Sequence, residues 1–189
     1  MGWNLFAYPV NATRPVTEAL LSLGNVYTTV YGYRNGGWLV YDKTLDPELN
    51  TLAALEFGQG YWISVTHPIT LNLKGAGTQT AQVTGLPPLP PATYYGPVQA
   101  GPGFTPAAGL PVTAWVNGAV CGQGVTRLHR GAVYYLVHVE AACAVAGMPV
   151  RFQVGERWML TTAQWRNAGV TFLALTQYQQ VYIPLVIRE

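Results

Sequence analysis

The sequence predicts an all-β protein, mainly antiparallel, in which a small β module with one short helix is followed by a β-sandwich. Three observations carry this expectation. The 189 residues include 21 Gly and 14 Pro, a turn-rich composition that suits many short strands. Apolar and polar residues alternate over short runs, as in strands with one buried face. Between such runs lie Asn35-Gly36 and Asn117-Gly118. Asn-Gly is a strong hairpin signal because both turn positions need positive φ.

In the first module, Trp3 to Tyr8 is a short apolar strand ended by Pro9. Thr13 offers a capping side chain, Pro15 an early proline and Glu18 an acid in the first turn, so a helix is expected through Leu23 until Gly24 stops it. Tyr27 to Tyr33 sets Tyr27, Thr29, Tyr31 and Tyr33 against Thr28, Val30 and Gly32, and Asn35-Gly36-Gly37 turns the chain into Trp38 to Tyr41. One helical turn is expected over Leu52 to Leu55. Strands follow over Tyr61 to Thr66 and Ile69 to Leu73, separated by His67-Pro68.

The segment Thr78 to Ala92 lacks periodicity and contains Pro87, Pro88, Pro90 and Pro91, which reads as a semi-rigid linker. The expected organisation is therefore residues 1–77, a linker over 78–92, and a sandwich over 93–189. Strands of the second module are expected at Tyr94 to Gln99, Pro111 to Val116, Ala119 to Gly122, Ala132 to Glu140, Val150 to Val154, Arg157 to Thr162, Val170 to Leu175 and Val181 to Ile187. Val133, Tyr135, Val137 and Val139 share one face, which places His138 and Glu140 outside.

The net charge of +2 is too mild for a nucleic-acid partner, since phosphate binding needs clustered Lys and Arg. The six Arg of the second module, Arg127, Arg130, Arg151, Arg157, Arg166 and Arg188, are dispersed instead. No apolar run reaches the roughly eighteen residues of a membrane-spanning helix, and the opening Met1-Gly2-Trp3-Asn4-Leu5 has no basic region before an apolar core. The chain is then either cytoplasmic or exported behind a leader that has been removed, and two Lys and two Ser among many Thr, Tyr, Gly and Pro favour the exported β protein. Cys121 and Cys143 are either bridged or buried and reduced.

Catalytic constellations are missing from the pattern. Ser22 falls in the expected helix and Ser64 in a strand, and neither sits in a G-x-S-x-G elbow. Cys121 with His129 or His138 has no accompanying nucleophile signature. Glu140 with Glu156 is the pair that a sheet could bring together for glycoside hydrolysis; solvated strand and turn residues are the plainer reading. His129 and His138 lack metal-ligand spacing. Asp42, Asp46 and Glu48 cluster in one loop and are the calcium candidates, but their spacing fits no EF-hand, so no cofactor is expected. Gly58-Gln59-Gly60, Gly75-Ala76-Gly77, Gly101-Pro102-Gly103 and Gly122-Gln123-Gly124 lack the rest of a phosphate cradle and read as turns.

Aromatic residues give the strongest binding signal. Six Trp, 12 Tyr and five Phe exceed the needs of two small cores, and flat rings stack on sugars and anchor protein interfaces. Trp115 is expected on the outer face or in a seam between the modules, because Val112, Ala114 and Val116 take the opposite face. Trp38, Tyr31 and Tyr33 are further candidates.

The segments GWNLFAYPV, VYGYRNGGWLVYD and LNTLAALEFGQGYWISV resemble a repeat-type module of extracellular bacterial proteins, over about residues 2 to 74. The segments PATYYGPV, AAGLPVTAWVNGAVCG, YYLVHVEA, PVRFQVGER and TAQW are similar to secreted sandwiches of the carboxypeptidase-regulatory or transthyretin type, over about residues 90 to 176. The ending VYIPLVIRE resembles the YLPLV.R tail of secreted proteins from filamentous green non-sulfur bacteria. The resemblance implies an Ig-like or transthyretin-like sandwich in the second module and pairing of Cys121 with Cys143. It also implies an exported, non-catalytic surface or accessory protein.

The expected function is thus a non-enzymatic extracellular or cell-surface module for structure, adhesion or assembly. Alternatives are a carbohydrate-binding module using surface aromatics and an accessory domain of a secreted hydrolase. Expected partners are a protein or a cell-surface polysaccharide. The apolar tail strand over Val181 to Ile187 is expected to close its own sheet or to dock onto a second copy as a homo-oligomer.

Overall fold

The computed structural model describes residues 2–73, 75 and 87–177. The chain is mainly antiparallel β and divides into two compact units, Met1–Pro90 and Pro91–Glu189, so the division falls inside the run of prolines. Residues 78–86 of the expected linker and the whole tail strand with its expected homo-oligomer contact lie outside the described residues. No helix among the described residues is long and apolar enough to cross a membrane.

The first unit contains β1 (Gly2–Ala7), β2 (Arg14–Pro15), β3 (Tyr27–Arg34), β4 (Gly37–Asp42), β5 (Ala54–Leu55) and β6 (Gly60–Val65). Four strands form one antiparallel sheet in the order β1-β6-β3-β4. The β3–β4 turn has φ of 51° at Asn35 and 77° at Gly36, the left-handed pair that the Asn-Gly signal demands. Val30, Tyr61 and Ile63 of the sheet pack with Leu20, Leu52 and Leu55 to make the core.

Three local expectations fail here. The helix is only one turn, α1 (Val16–Ala19), followed by a 3₁₀ turn at Leu21–Leu23. Strand pairing at its start explains this: Arg14 and Pro15 pair with β5 and the Val16 N–H donates to the Ala53 carbonyl (3.1 Å), so Thr13 caps nothing. Leu52 to Leu55 is extended because Thr51 and Leu52 both donate to the Val40 carbonyl (2.9 Å each). The helical turn lies instead at Pro47–Leu49. Ile69 to Leu73 forms no strand. Pro68 removes a donor at its start, and the Asn72 N–H donates to the Ser22 hydroxyl (3.3 Å).

The second unit holds β7 (Ala92–Pro97), β8 (Pro111–Val116), β9 (Ala119–Val125), β10 (Arg127–His129), β11 (Ala132–Val139), β12 (Pro149–Val154), β13 (Arg157–Gln164) and β14 (Val170–Phe172). Two sheets, ordered β13-β12-β8-β9 and β10-β11-β7-β14, enclose one core; β14 runs parallel to β7. Val112, Ala114 and Val116 face Tyr135, Val137 and Val139 within it, as alternation predicts. His138 lies on the opposite face of β11, as alternation predicts; it is half-buried there, and its Nδ1 shares a 2.9 Å hydrogen bond with the buried Thr93 hydroxyl. Strand β10 was not legible in advance because Arg130-Gly131 makes its turn, with φ of 48° and 80°, and Arg rarely occupies such a position.

Gly122 and Gly124 are not turn glycines. Both lie within β9 opposite the core residues Ala114 and Val112. A methyl group at Gly122 would strike the His138 carbonyl oxygen and sit 3.2 Å from Val137 Cγ2, and one at Gly124 would strike the Leu136 carbonyl oxygen. Two glycines therefore let the β9 and β11 backbones cross at contact distance. Gly122→Ala is expected to cost about 3 kcal/mol, because backbone rather than a flexible side chain must yield. Urea denaturation measures this, and an unchanged midpoint would refute the close approach.

Burial pushes the hydroxyls of Tyr27 and Tyr94 up to about 12. Burial also raises those of Tyr8, Tyr61 and Tyr135. The folded state thus holds the neutral phenol while the unfolded chain ionises near the ordinary value of about 10. The contribution to stability is complete below that pH and is lost as pH climbs from about 10 towards 12. Thermal melts should show a midpoint falling over that window, with phenolate absorbance at about 295 nm rising late and together with unfolding.

Candidate functional site

Strands β8, β12 and β13 turn alternate residues away from the core. On β8, burial of Val112, Ala114 and Val116 leaves Thr113 and Trp115 on the outer face; on β12, burial of Val150, Phe152 and Val154 does the same for Arg151 and Gln153. On β13 the buried residue is Met159, so Trp158 and Leu160 point out and are 43% and 59% exposed. The register sets Arg151 beside Trp115 and Gln153 beside both Thr113 and Trp158.

The two indoles meet above β12. Their ring centroids are 5.6 Å apart and their planes are tilted by 50°. The Arg151 guanidinium lies 4.6 Å from the Trp158 ring centre, a cation–π contact of about 0.5–1 kcal/mol at an exposed position. Trp115 is half-buried, and its Nε1 is sealed from solvent with no hydrogen-bond partner. Leaving such a donor unpaired costs about 1–3 kcal/mol, a penalty that an aromatic ring without a polar atom would avoid. Val120 of β9, paired with Trp115 and 44% exposed, extends the apolar part of this face.

Trp115 therefore lies on the outer face that its alternation predicts. Trp158 and Arg151 are the partners that sequence reasoning missed. The signal was present in the alternation of Arg157 to Thr162, where inward Met159 turns Trp158 outward.

The other aromatic candidates differ in accessibility. Tyr31 and Trp38 are buried, packed edge to face at 5.8 Å, with Trp3 5.6 Å from Tyr31. Tyr33 stays 37% exposed against Trp38 at 5.0 Å. These rings cover one another, and Trp62 on the same sheet donates its Nε1–H to the Pro88 carbonyl (2.9 Å). Trp38 and Tyr31 are thus removed from any binding surface.

Of the calcium candidates, Asp46 and Glu48 bring carboxylate oxygens within 4.8 Å of each other, while Asp42 stands apart. The buried Asp42 carboxylate accepts hydrogen bonds from the Thr29 hydroxyl (2.5 Å), the Thr44 hydroxyl (2.5 Å) and the Thr44 N–H (2.8 Å). Asp46 caps the turn at Pro47–Leu49 by accepting from the Glu48 N–H (3.4 Å). Among the described residues, Asp42 joins no three-ligand cluster with Asp46 and Glu48. The Thr29 and Thr44 hydroxyls thus occupy both oxygens of the buried Asp42 carboxylate.

Glu140 and Glu156 belong to different sheets: Glu140 follows β11, and Glu156 lies in the turn between β12 and β13. The Glu140 N–H donates to the Cys121 carbonyl (2.9 Å), level with Ala114 and Trp115 of β8, whereas Glu156 follows Gly155, whose N–H donates to the Pro111 carbonyl (2.8 Å) at the start of β8.

Cys121 and Cys143 form a disulfide with Cα atoms 5.6 Å apart, so neither sulfur is a free nucleophile. The bond ties β9 to the 3₁₀ turn Ala141–Cys143 that follows β11.

No family model matches this chain, and no match was found among curated proteins or solved structures.

Reduction of the disulfide is expected to lower stability by about 3 kcal/mol, the chain-entropy value for a loop of this size. Urea unfolding with and without reductant checks it, and the tryptophan emission of the folded baseline should stay the same.

Proposed function

We propose that this chain is a non-enzymatic extracellular or cell-surface adhesion module, and that the outer face of the β13-β12-β8-β9 sheet is its adhesive surface. The observation that supports this reading is the grouping of Trp115, Trp158 and Arg151 on neighbouring strands, with Leu160 and Val120 at its margins. Tryptophan and arginine are the residue types that dominate binding energy at recognition surfaces. A soluble monomer gains nothing from exposing an indole beside two exposed aliphatic side chains.

The Cys121–Cys143 disulfide fits an oxidising compartment, in line with the likeness to exported bacterial modules. With Cys121 bonded to Cys143, the thiol weighed as a nucleophile is not free.

Adhesion is tested by co-sedimentation of the full chain with insoluble bacterial wall fragments and with insoluble structural protein. Trp158→Ser should keep the melting temperature within a few degrees, since the ring is half in solvent, and should lower the sedimented fraction about tenfold. Equal sedimentation of wild type and variant would place adhesion elsewhere.

A further inference from the structure

The same face carries chemical information about its partner. Trp115, Arg151 and Thr162 lie side by side across β8, β12 and β13, and Thr113, Gln153 and Trp158 form the adjacent row. Two indoles supply an angular apolar surface. Thr113, Thr162 and Gln153 supply neutral hydroxyl and amide groups around it. Arg151 supplies the only formal charge in these rows, and among the described residues no carboxylate forms an ion pair with it. The second unit as a whole carries six Arg against three Glu. Strands β8 and β12 have both edges occupied by neighbours, so their backbones cannot accept a peptide as an added strand. The partner must bring its own hydroxyls, a flat apolar face and a negative charge.

We infer that this surface binds an acidic polysaccharide, a polymer of pyranose rings that bear carboxylates. The C–H face of a ring packs on Trp158, its hydroxyls meet Thr113, Gln153 and Thr162, and its carboxylate accepts two parallel N–H bonds from Arg151. Contact with the Trp158 ring holds the guanidinium in place, so less side-chain freedom is lost on binding. The inference rests on the reading of this face as adhesive and names its partner class.

The test is calorimetric titration of the full chain with oligogalacturonate, maltoheptaose and poly-glutamate. Oligogalacturonate is expected to bind, and Arg151→Gln to weaken it about tenfold while the melting temperature falls by no more than a few degrees. Arg151→Lys, which keeps the charge and loses the planar fork, should recover only part of that loss. Raising NaCl to about 500 mM should also weaken binding, because the ion pair is open to solvent. Equal affinity for maltoheptaose, or no loss in Arg151→Gln, would overturn the acidic-ligand inference. Equal affinity for poly-glutamate would reduce the site to a bare charge contact and overturn it too. If no saccharide binds while wall fragments are still held through Trp158, the inference falls and the adhesive reading stands; loss of the Trp158 dependence as well sinks both.

Discussion

Backbone crossing backbone at Gly122 and Gly124 is the constraint on which the second unit depends. With no side chains between them, β9 and β11 touch along one edge of the two-sheet stack, and the Cys121–Cys143 bond fastens the same corner. The register of β8 with β9 shifts there, from Ala114 opposite Gly122 to Trp115 opposite Val120. Cys121 is the extra residue of that bulge and turns into the core. The shift allows Ala114 and Gly122 to face inward while Trp115 and Val120 face outward together. A corner built for close packing thereby sets the aromatic surface on the far side of the sheet.

The two units use aromatic residues in opposite ways. In the first, Trp3, Tyr31, Tyr33 and Trp38 pack ring against ring along the sheet, and two of them are lost from solvent. The second places its indole pair on strands whose inward positions are filled by Val, Ala, Phe and Met, so the rings have nowhere to go but out. Composition alone cannot distinguish these uses. Neighbouring strands decide it, and strand order is not written in local sequence.

What could be read locally follows the same division. Asn35-Gly36 and Asn117-Gly118 mark hairpins because the turn geometry lies within those dipeptides. Alternation in β8, β11 and β12 is likewise local, and Trp115 was found through it. Segments whose partners are distant were misread. Arg14-Pro15 looks like a helix start but pairs with Ala54-Leu55, and Leu52 looks helical but is held extended by Val40. Gly122 and Gly124 resemble turn glycines until β11 is laid across them. Trp158 was legible in principle, since Met159 inward forces it outward, but its meeting with Trp115 depends on the placement of β12 between their strands.

The tilted indole pair has an optical consequence. Two indoles fixed 5.6 Å apart and inclined at 50° are close enough to share excitation in the ultraviolet, as isolated tryptophans do not. A molecule settling on Trp158 alters both the local polarity and the coupling, so occupancy of this face registers in the spectrum of the unlabelled protein.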